Sequence, residues 1–143
     1  MLCKEIMKRN VECVEATDTV ETAAETMRDQ QVGFLPVCDQ STKVIGTITD
    51  RDITVRVVAE SLSASTLVEK VMTSEVVACR ADDDVHRAED LMGQYQKSRI
   101  MCLDEQGRLV GVISLSDIAQ VEDDPAAAET MRQVTDRETH PRM

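Results

Sequence analysis

The sequence repeats itself once, in register and without a gap, at an offset of 65 residues. No other feature constrains the fold as strongly. Met7 falls on Met72, Asp18 on Asp83, Val20 on Val85, Ala23 on Ala88 and Met27 on Met92. Gly46 falls on Gly111, Ile48 on Ile113, Asp52 on Asp117 and Ile53 on Ile118. Most other aligned pairs exchange like for like, as in Leu35/Ile100, Ile45/Val110 and Thr49/Ser114. Such a chain is expected to fold as two copies of one supersecondary unit. A unit of this size is marginal alone, so two of them are expected to bury apolar faces against each other. The repeat thus predicts two halves related by a pseudo-twofold axis, with any ligand in the groove they share.

Each copy has the pattern strand, helix, strand, strand, helix, after a short helical lead-in (2–7 and 67–72). The first strand is expected over 11–14 and 76–79. Asp18, with Glu21 three residues later, has the form of a capping box for the helix that follows. Val20, Ala23, Ala24 and Met27 then recur at helical spacing, and Val85, Ala88, Leu91 and Met92 do the same in the second copy. Gly33 is expected to close the first helix region. Strands over 34–38 and 44–49, joined by the polar stretch 39–43, predict a hairpin. A last helix is expected over 51–60. The predicted fold class is α+β, two βαββα repeats with mixed sheets flanked by helices. The predicted boundaries are 1–60 for the first repeat, 61–66 for a Ser-rich linker and 67–121 for the second repeat. Residues 122–143 form an acidic break, a short helix (126–134) and a tail.

Charge and composition narrow the function. The net charge is −11, and the aromatic residues are one Phe and one Tyr, with no Trp. A chain this acidic lacks the cationic surface that neutralises phosphate backbones, and it lacks stacking platforms for single strands. Nucleic acid is therefore not an expected partner. No apolar run approaches the ~18 residues of a membrane span. Nothing resembles a signal peptide, so a cytoplasmic protein is expected.

Catalysis is not expected, and no catalytic residue is assigned. The two histidines, His86 and His140, have no nucleophile with an orienting acid in sight. There is no Gly-rich phosphate loop and no metal-ligand spacing, so no metal is expected. The acidic runs at 82–84 and 122–124 lack the alternating ligands and Gly of a calcium loop. The five cysteines include no C-x-x-C. Cys13, Cys38, Cys79 and Cys102 lie in apolar, strand-like runs and are expected to be buried thiols. Cys13 and Cys38, at the ends of two strands of one repeat, are also a candidate disulfide. With a histidine, these two suggest a thiol or metal sensor as a weaker reading.

The segment Gly46-Thr47-Ile48-Thr49-Asp50-Arg51-Asp52 and its twin Gly111-Val112-Ile113-Ser114-Leu115-Ser116-Asp117 resemble the ligand motif of cystathionine-β-synthase (CBS) domains. That motif is Gly, two apolar positions, Ser or Thr, two variable positions and Asp. Leu35-Pro36-Val37-Cys38-Asp39 resembles the family's Leu-Pro-Val-x-Asp strand; the second copy has Met101 in place of the proline. The resemblance spans 1 to about 121, and two motifs in matched context are far more specific than one. A hydroxyl where a strand becomes a helix, beside backbone N–H groups, suits a phosphate. A carboxylate three residues later has acceptors for both ribose hydroxyls.

The resemblance implies a stand-alone regulatory pair binding AMP, ADP, ATP or S-adenosylmethionine, with no required cofactor. It implies Thr49, Asp52, Ser114 and Asp117 as binding residues and Arg99 as a phosphate contact. Arg51 is a second guanidinium suited to phosphate. Val14, Leu35, Pro36 and Met101 are the expected apolar lining for adenine. The implied partners are a second copy of the chain, met through final helices bearing Ile53, Val57, Val58 and Ile118, and a separate effector protein of unknown identity. The alternative is a ligand-free dimeric interaction protein, related to stress, with degenerate sites; Thr49 and Ser114 are then plain helix caps and Asp52 and Asp117 first-turn acids.

Overall fold

The computed structural model describes residues 1–121 and 125–139 of the chain. The acidic break at 122–124 and the end of the tail at 140–143 lie outside the described residues.

The chain forms two compact units, one of residues 11–76 and one of 1–10 with 77–143. In the first, β1 (Val14–Glu15), β2 (Phe34–Cys38) and β3 (Val44–Thr49) make a sheet of order β1-β2-β3. β1 runs parallel to β2 and β2 antiparallel to β3, with a bulge at Val37/Cys38. Helix α1 (Val20–Gln30) lies between β1 and β2; α2 (Asp50–Ile53) and a π-helical turn (Thr54–Val58) follow β3. Helix α3 (Val68–Val71) completes the unit.

The second unit has the same plan. β4 (Ala78–Arg80), α4 (Val85–Tyr95), β5 (Arg99–Leu103), β6 (Leu109–Ser114) and α5 (Leu115–Val121) follow one another, with sheet order β4-β5-β6. Its bulge, at Cys102/Leu103, is 65 positions from the first. Here the lead-in is a 3₁₀ turn over Cys3–Glu5. Each sheet is therefore mixed and flanked by helices, as the sequence pattern predicts.

The compact units partition the chain differently from the repeats counted along the sequence. The lead-in 1–10 packs with 77–143, and the lead-in 67–76 packs with 11–66. Matching backbone bridges hold the two lead-ins: Leu2 with Asp84 and Lys8 with Val112 in one unit, Leu67 with Thr19 and Thr73 with Thr47 in the other. The close approach needs glycine. A Cβ on Gly46 would lie 2.5 Å from the Thr73 carbonyl oxygen, and one on Gly111 would lie 2.5 Å from Met7 Sδ.

Each unit has its own core. Val14, Val20, Ala23, Met27, Leu35, Val37, Ile48 and Val68 build one. Val85, Ala88, Met92, Ile100, Ile113 and Ile118 build the other, with three cysteines. The apolar stripes of α1 and α4 supply the helical side of both cores, which is why those residues recur at helical spacing.

Several local expectations shift. The N-cap of α1 is Thr19, whose Oγ accepts the Thr22 N–H, while Asp18 accepts the Glu15 N–H in the preceding turn. Asp83 accepts the Arg80 N–H in the same way, and Asp84 caps α4. Helices α1 and α4 end on left-handed Gln31 and Gln96 (φ 56° and 53°), ahead of Gly33. The first strands start two or three residues later than the apolar runs suggest. Helix α6 (Pro125–Thr139) is longer than the helix expected over 126–134, and it packs on α4, burying Val134. Among the described residues, no helix is long and apolar enough to cross a membrane.

Candidate functional site

Both copies of the motif fold into the same device. At the end of β3, Thr49 Oγ1 accepts the Asp52 N–H at 3.1 Å, and Asp52 Oδ2 accepts the Thr49 N–H at 3.0 Å. At the end of β6, Ser114 and Asp117 make the same pair of bonds at 3.1 and 3.0 Å. These are reciprocal capping boxes, in which the hydroxyl and carboxylate satisfy N–H groups that the strand and helix leave over. The residue types recur because a strand running straight into a helix leaves both donors unpaired.

Each box uses one oxygen of its carboxylate. The other faces a cation: Asp52 Oδ1 lies 3.9 Å from Arg56 Nη1, and Asp117 Oδ1 lies 3.6 Å from Lys8 Nζ. The two carboxylates are largely shielded, with side chains 13% and 14% exposed, whereas Arg56 and Lys8 reach into solvent. Such half-exposed ion pairs contribute little stability. They do leave an acceptor and a positive charge side by side, which is the chemistry a ribose phosphate requires. Arg56 is further fixed by donating to the Val71 and Met72 carbonyls at 2.9 and 3.1 Å.

Arg99 is exposed and stands directly opposite Ser114 in the antiparallel register. Directly opposed residues share a sheet face with Cβ atoms about 5 Å apart, so Arg99, Ser114, Asp117 and Lys8 gather at one end of their sheet. Phe34 holds the equivalent place opposite Thr49. Arg51 is exposed on the first turn of α2 and has no ion-pair partner among the described residues.

The apolar residues separate. Val14 and Leu35 point into the core of their unit, where they pack with Val37 and Ile48. Pro36 and Met101 are also buried but belong to neither core cluster, because they occupy the opposite face of β2 and β5. Strand alternation decides this, since successive side chains point to opposite faces. The surface expected for a second copy also divides: Val57 and Ile118 are buried, Ile53 is half-buried, and Val58 is 69% exposed.

Cys13 and Cys38 are both free thiols, Cys13 exposed and Cys38 buried. A groove of about 740 Å³ in the second unit is lined by none of the residues the sequence points to. Its charged lining sets Lys4, Arg9 and Arg80 against Asp82, Asp83, Asp104 and Glu105. That excess of carboxylates does not suit a phosphate.

Sequence reasoning missed Lys8 and Arg56. The repeat alignment pairs Lys8 with Thr73 and Arg56 with Val121, so neither belongs to the shared pattern. Lys8 is also more than one hundred positions from Asp117 along the chain.

Two units of one topology, each ending its sheet in a hydroxyl–carboxylate box, define a tandem pair of small α+β domains. The model of the CBS domain matches this chain twice, over residues 3–59 and 68–124. The chain belongs to the CBS-domain family. It is 35% identical over 116 residues to the CBS domain-containing protein YhcV of Bacillus subtilis, covering 81% of each chain. Its fold is similar to that of the solved Hypoxic Response Protein I with two coordinated zinc ions, at a TM-score of 0.78 and 28% identity over 85% of this chain and 99% of that one. It is also similar to the CBS domain pair of protein MJ0100 in complex with 5-methylthioadenosine and S-adenosyl-L-methionine, at a TM-score of 0.76 and 25% identity over 85% and 94%.

Proposed function

We propose that this chain is a regulatory module that binds an adenosine-type ligand at its two motif ends and reports the bound state to a separate protein. The observation that carries the reading is the duplicated capping box, each with its spare aspartate oxygen beside a cation. Asp52 and Asp117 accept the ribose hydroxyls through Oδ1. Lys8 and Arg99 at one end, and Arg56 and Arg51 at the other, supply charge for a phosphate or a sulfonium ligand's carboxylate. The adenosyl ligands of the MJ0100 pair support this class. AMP, ADP, ATP and S-adenosylmethionine are the candidates, and Pro36 and Met101 are the apolar residues left to meet the base. In this reading the module performs no catalysis, acts in the cytoplasm and pairs with a second copy through the exposed Val58 face.

One observation favours the ligand-free alternative. The Thr49 and Ser114 oxygens and one oxygen of each aspartate are already engaged in capping. Thermal melts with each candidate ligand separate the readings. A ligand at a hundred times its Kd stabilises the fold by about 2.7 kcal/mol. The expected result is a rise in Tm that disappears in the Asp52→Asn/Asp117→Asn double variant, since Asn keeps a capping oxygen but loses the charge. No rise with any of the ligands at millimolar concentration, or a rise that the double variant retains, overturns the proposal.

A further inference from the structure

We propose that Cys3, Cys79 and Cys102 form a three-thiolate site for a soft thiophilic metal ion, with monovalent copper the best match. The three sulfurs come from separate parts of one unit. Cys3 lies on the 3₁₀ turn of the lead-in, Cys79 in β4, and Cys102 opposite it in the parallel register of β5. Cys3 Sγ and Cys79 Sγ are 3.7 Å apart, as are Cys79 Sγ and Cys102 Sγ, and all three sulfurs lie within 4.8 Å of one another. A metal–thiolate bond of about 2.3 Å puts the sulfurs of a trigonal or tetrahedral centre roughly 3.8–4.0 Å apart. An ion therefore fits after movements of a few tenths of an ångström.

The internal repeat shows that packing alone does not call for sulfur here. At the offset of 65, Cys3 corresponds to Val68, Cys79 to Val14 and Cys102 to Val37. All three valines are buried together in the core of the other unit, and Val14 stands opposite Val37 in the same parallel register. One unit fills these three places with valine throughout; the other fills all of them with cysteine.

The surroundings select the ion. The three cysteines are 0%, 6% and 0% exposed, which leaves little room for a bound water. Among the described residues, no His, Asp, Glu or further Cys joins the cluster as a fourth ligand. Structural zinc is almost always four-coordinate, whereas soft thiolate sets suit Cu(I). Loading one Cu(I) onto the three thiols forms three Cu–S bonds and releases the proton of each thiol to solvent, with no change of oxidation state. Access comes from opening the lead-in turn, which is held by Cys3 N–H on the Asp83 carbonyl and Lys4 N–H on the Ala81 carbonyl, both at 2.8 Å. A bound ion staples that turn to β4 and β5.

The test uses the reduced full chain under anaerobic conditions, titrated with Cu(I) against a bathocuproine-type chelator. One Cu(I) per chain, proton release on loading and an X-ray absorption shell of three sulfurs are expected. The Cys3→Val/Cys79→Val/Cys102→Val variant copies the packing of the other unit and should fold while losing the ion. A Cys13→Ser/Cys38→Ser variant should keep it. Copper left wholly with the chelator, a shell of two or four sulfurs, retention by the triple valine variant, or zinc held in preference to copper each overturns the proposal. Should the triple variant not fold, Cys102→Val alone decides: a two-sulfur shell with weakened binding supports the site, and an unchanged three-sulfur shell refutes it.

Discussion

Replacing Gly46 by alanine should destabilise the protein more than replacing its twin Gly111, although the two occupy equivalent strand positions. A Cβ at Gly46 meets backbone, the Thr73 carbonyl oxygen at 2.5 Å. A carbonyl in a bridge cannot swing away without breaking that bridge. Thr47 N–H donates to the Thr73 carbonyl and Thr73 N–H to the Thr47 carbonyl, both at 2.9 Å. Losing two such bonds costs about 1 kcal/mol each, and overpacking costs roughly 1–3 kcal/mol. The expected loss for Gly46→Ala is thus about 3–5 kcal/mol, the two bonds and the overpacking together. At Gly111 the nearest atoms are Sδ and Cγ of Met7, at 2.5 and 2.7 Å, and the Lys8 carbonyl oxygen stands further off at 3.0 Å. A methionine side chain is flexible and can re-seat, so about 1–2 kcal/mol is expected there. Urea melts followed by far-ultraviolet circular dichroism measure both. An equal loss at the two sites, or a larger one at Gly111, would refute the view that the lead-ins are held by close backbone contact.

Two further predictions concern titration. The Asp84 carboxyl, which accepts the His86 backbone N–H and bonds the His86 ring, is held below its ordinary value. A depressed carboxylate stabilises the fold above its unfolded pKa and loses that contribution as pH falls through the folded value. The Tm advantage of wild type over Asp84→Asn should therefore be present at neutral pH and fade in acid below about pH 4; an advantage that persists unchanged into acid contradicts this. Cys13 is exposed, and the buried Cys38 thiol, hydrogen-bonding to it, lowers its pKa. Iodoacetamide at neutral pH should label Cys13 ahead of the other four cysteines, and Cys38→Ala should slow that labelling, with the difference closing at alkaline pH. Unchanged labelling in Cys38→Ala would remove Cys38 as the cause.

Much of the fold was legible in the repeat. The helices α1 and α4, the hairpins β2–β3 and β5–β6, and the motif at the end of each are local patterns, set by side-chain period and turn chemistry. Thr49, Asp52, Ser114 and Asp117 were legible for the same reason, since a capping box spans only four residues. Val14 and Leu35 show where such reading stops. The sequence marks them as apolar strand residues, and only strand alternation in the folded sheet places them among the core residues of their unit. Lys8 and Arg56 were invisible because neither is part of the duplicated pattern.

By itself, the sequence determined the duplication, the α+β order of each copy and the family, because these depend on neighbours along the chain. Tertiary structure alone decided which lead-in closes which unit, which cation meets each aspartate, and that three cysteines from distant segments share one point in a core. Those outcomes depend on which surfaces come together when backbone donors and apolar side chains are satisfied at the same time, and no window of sequence contains both partners.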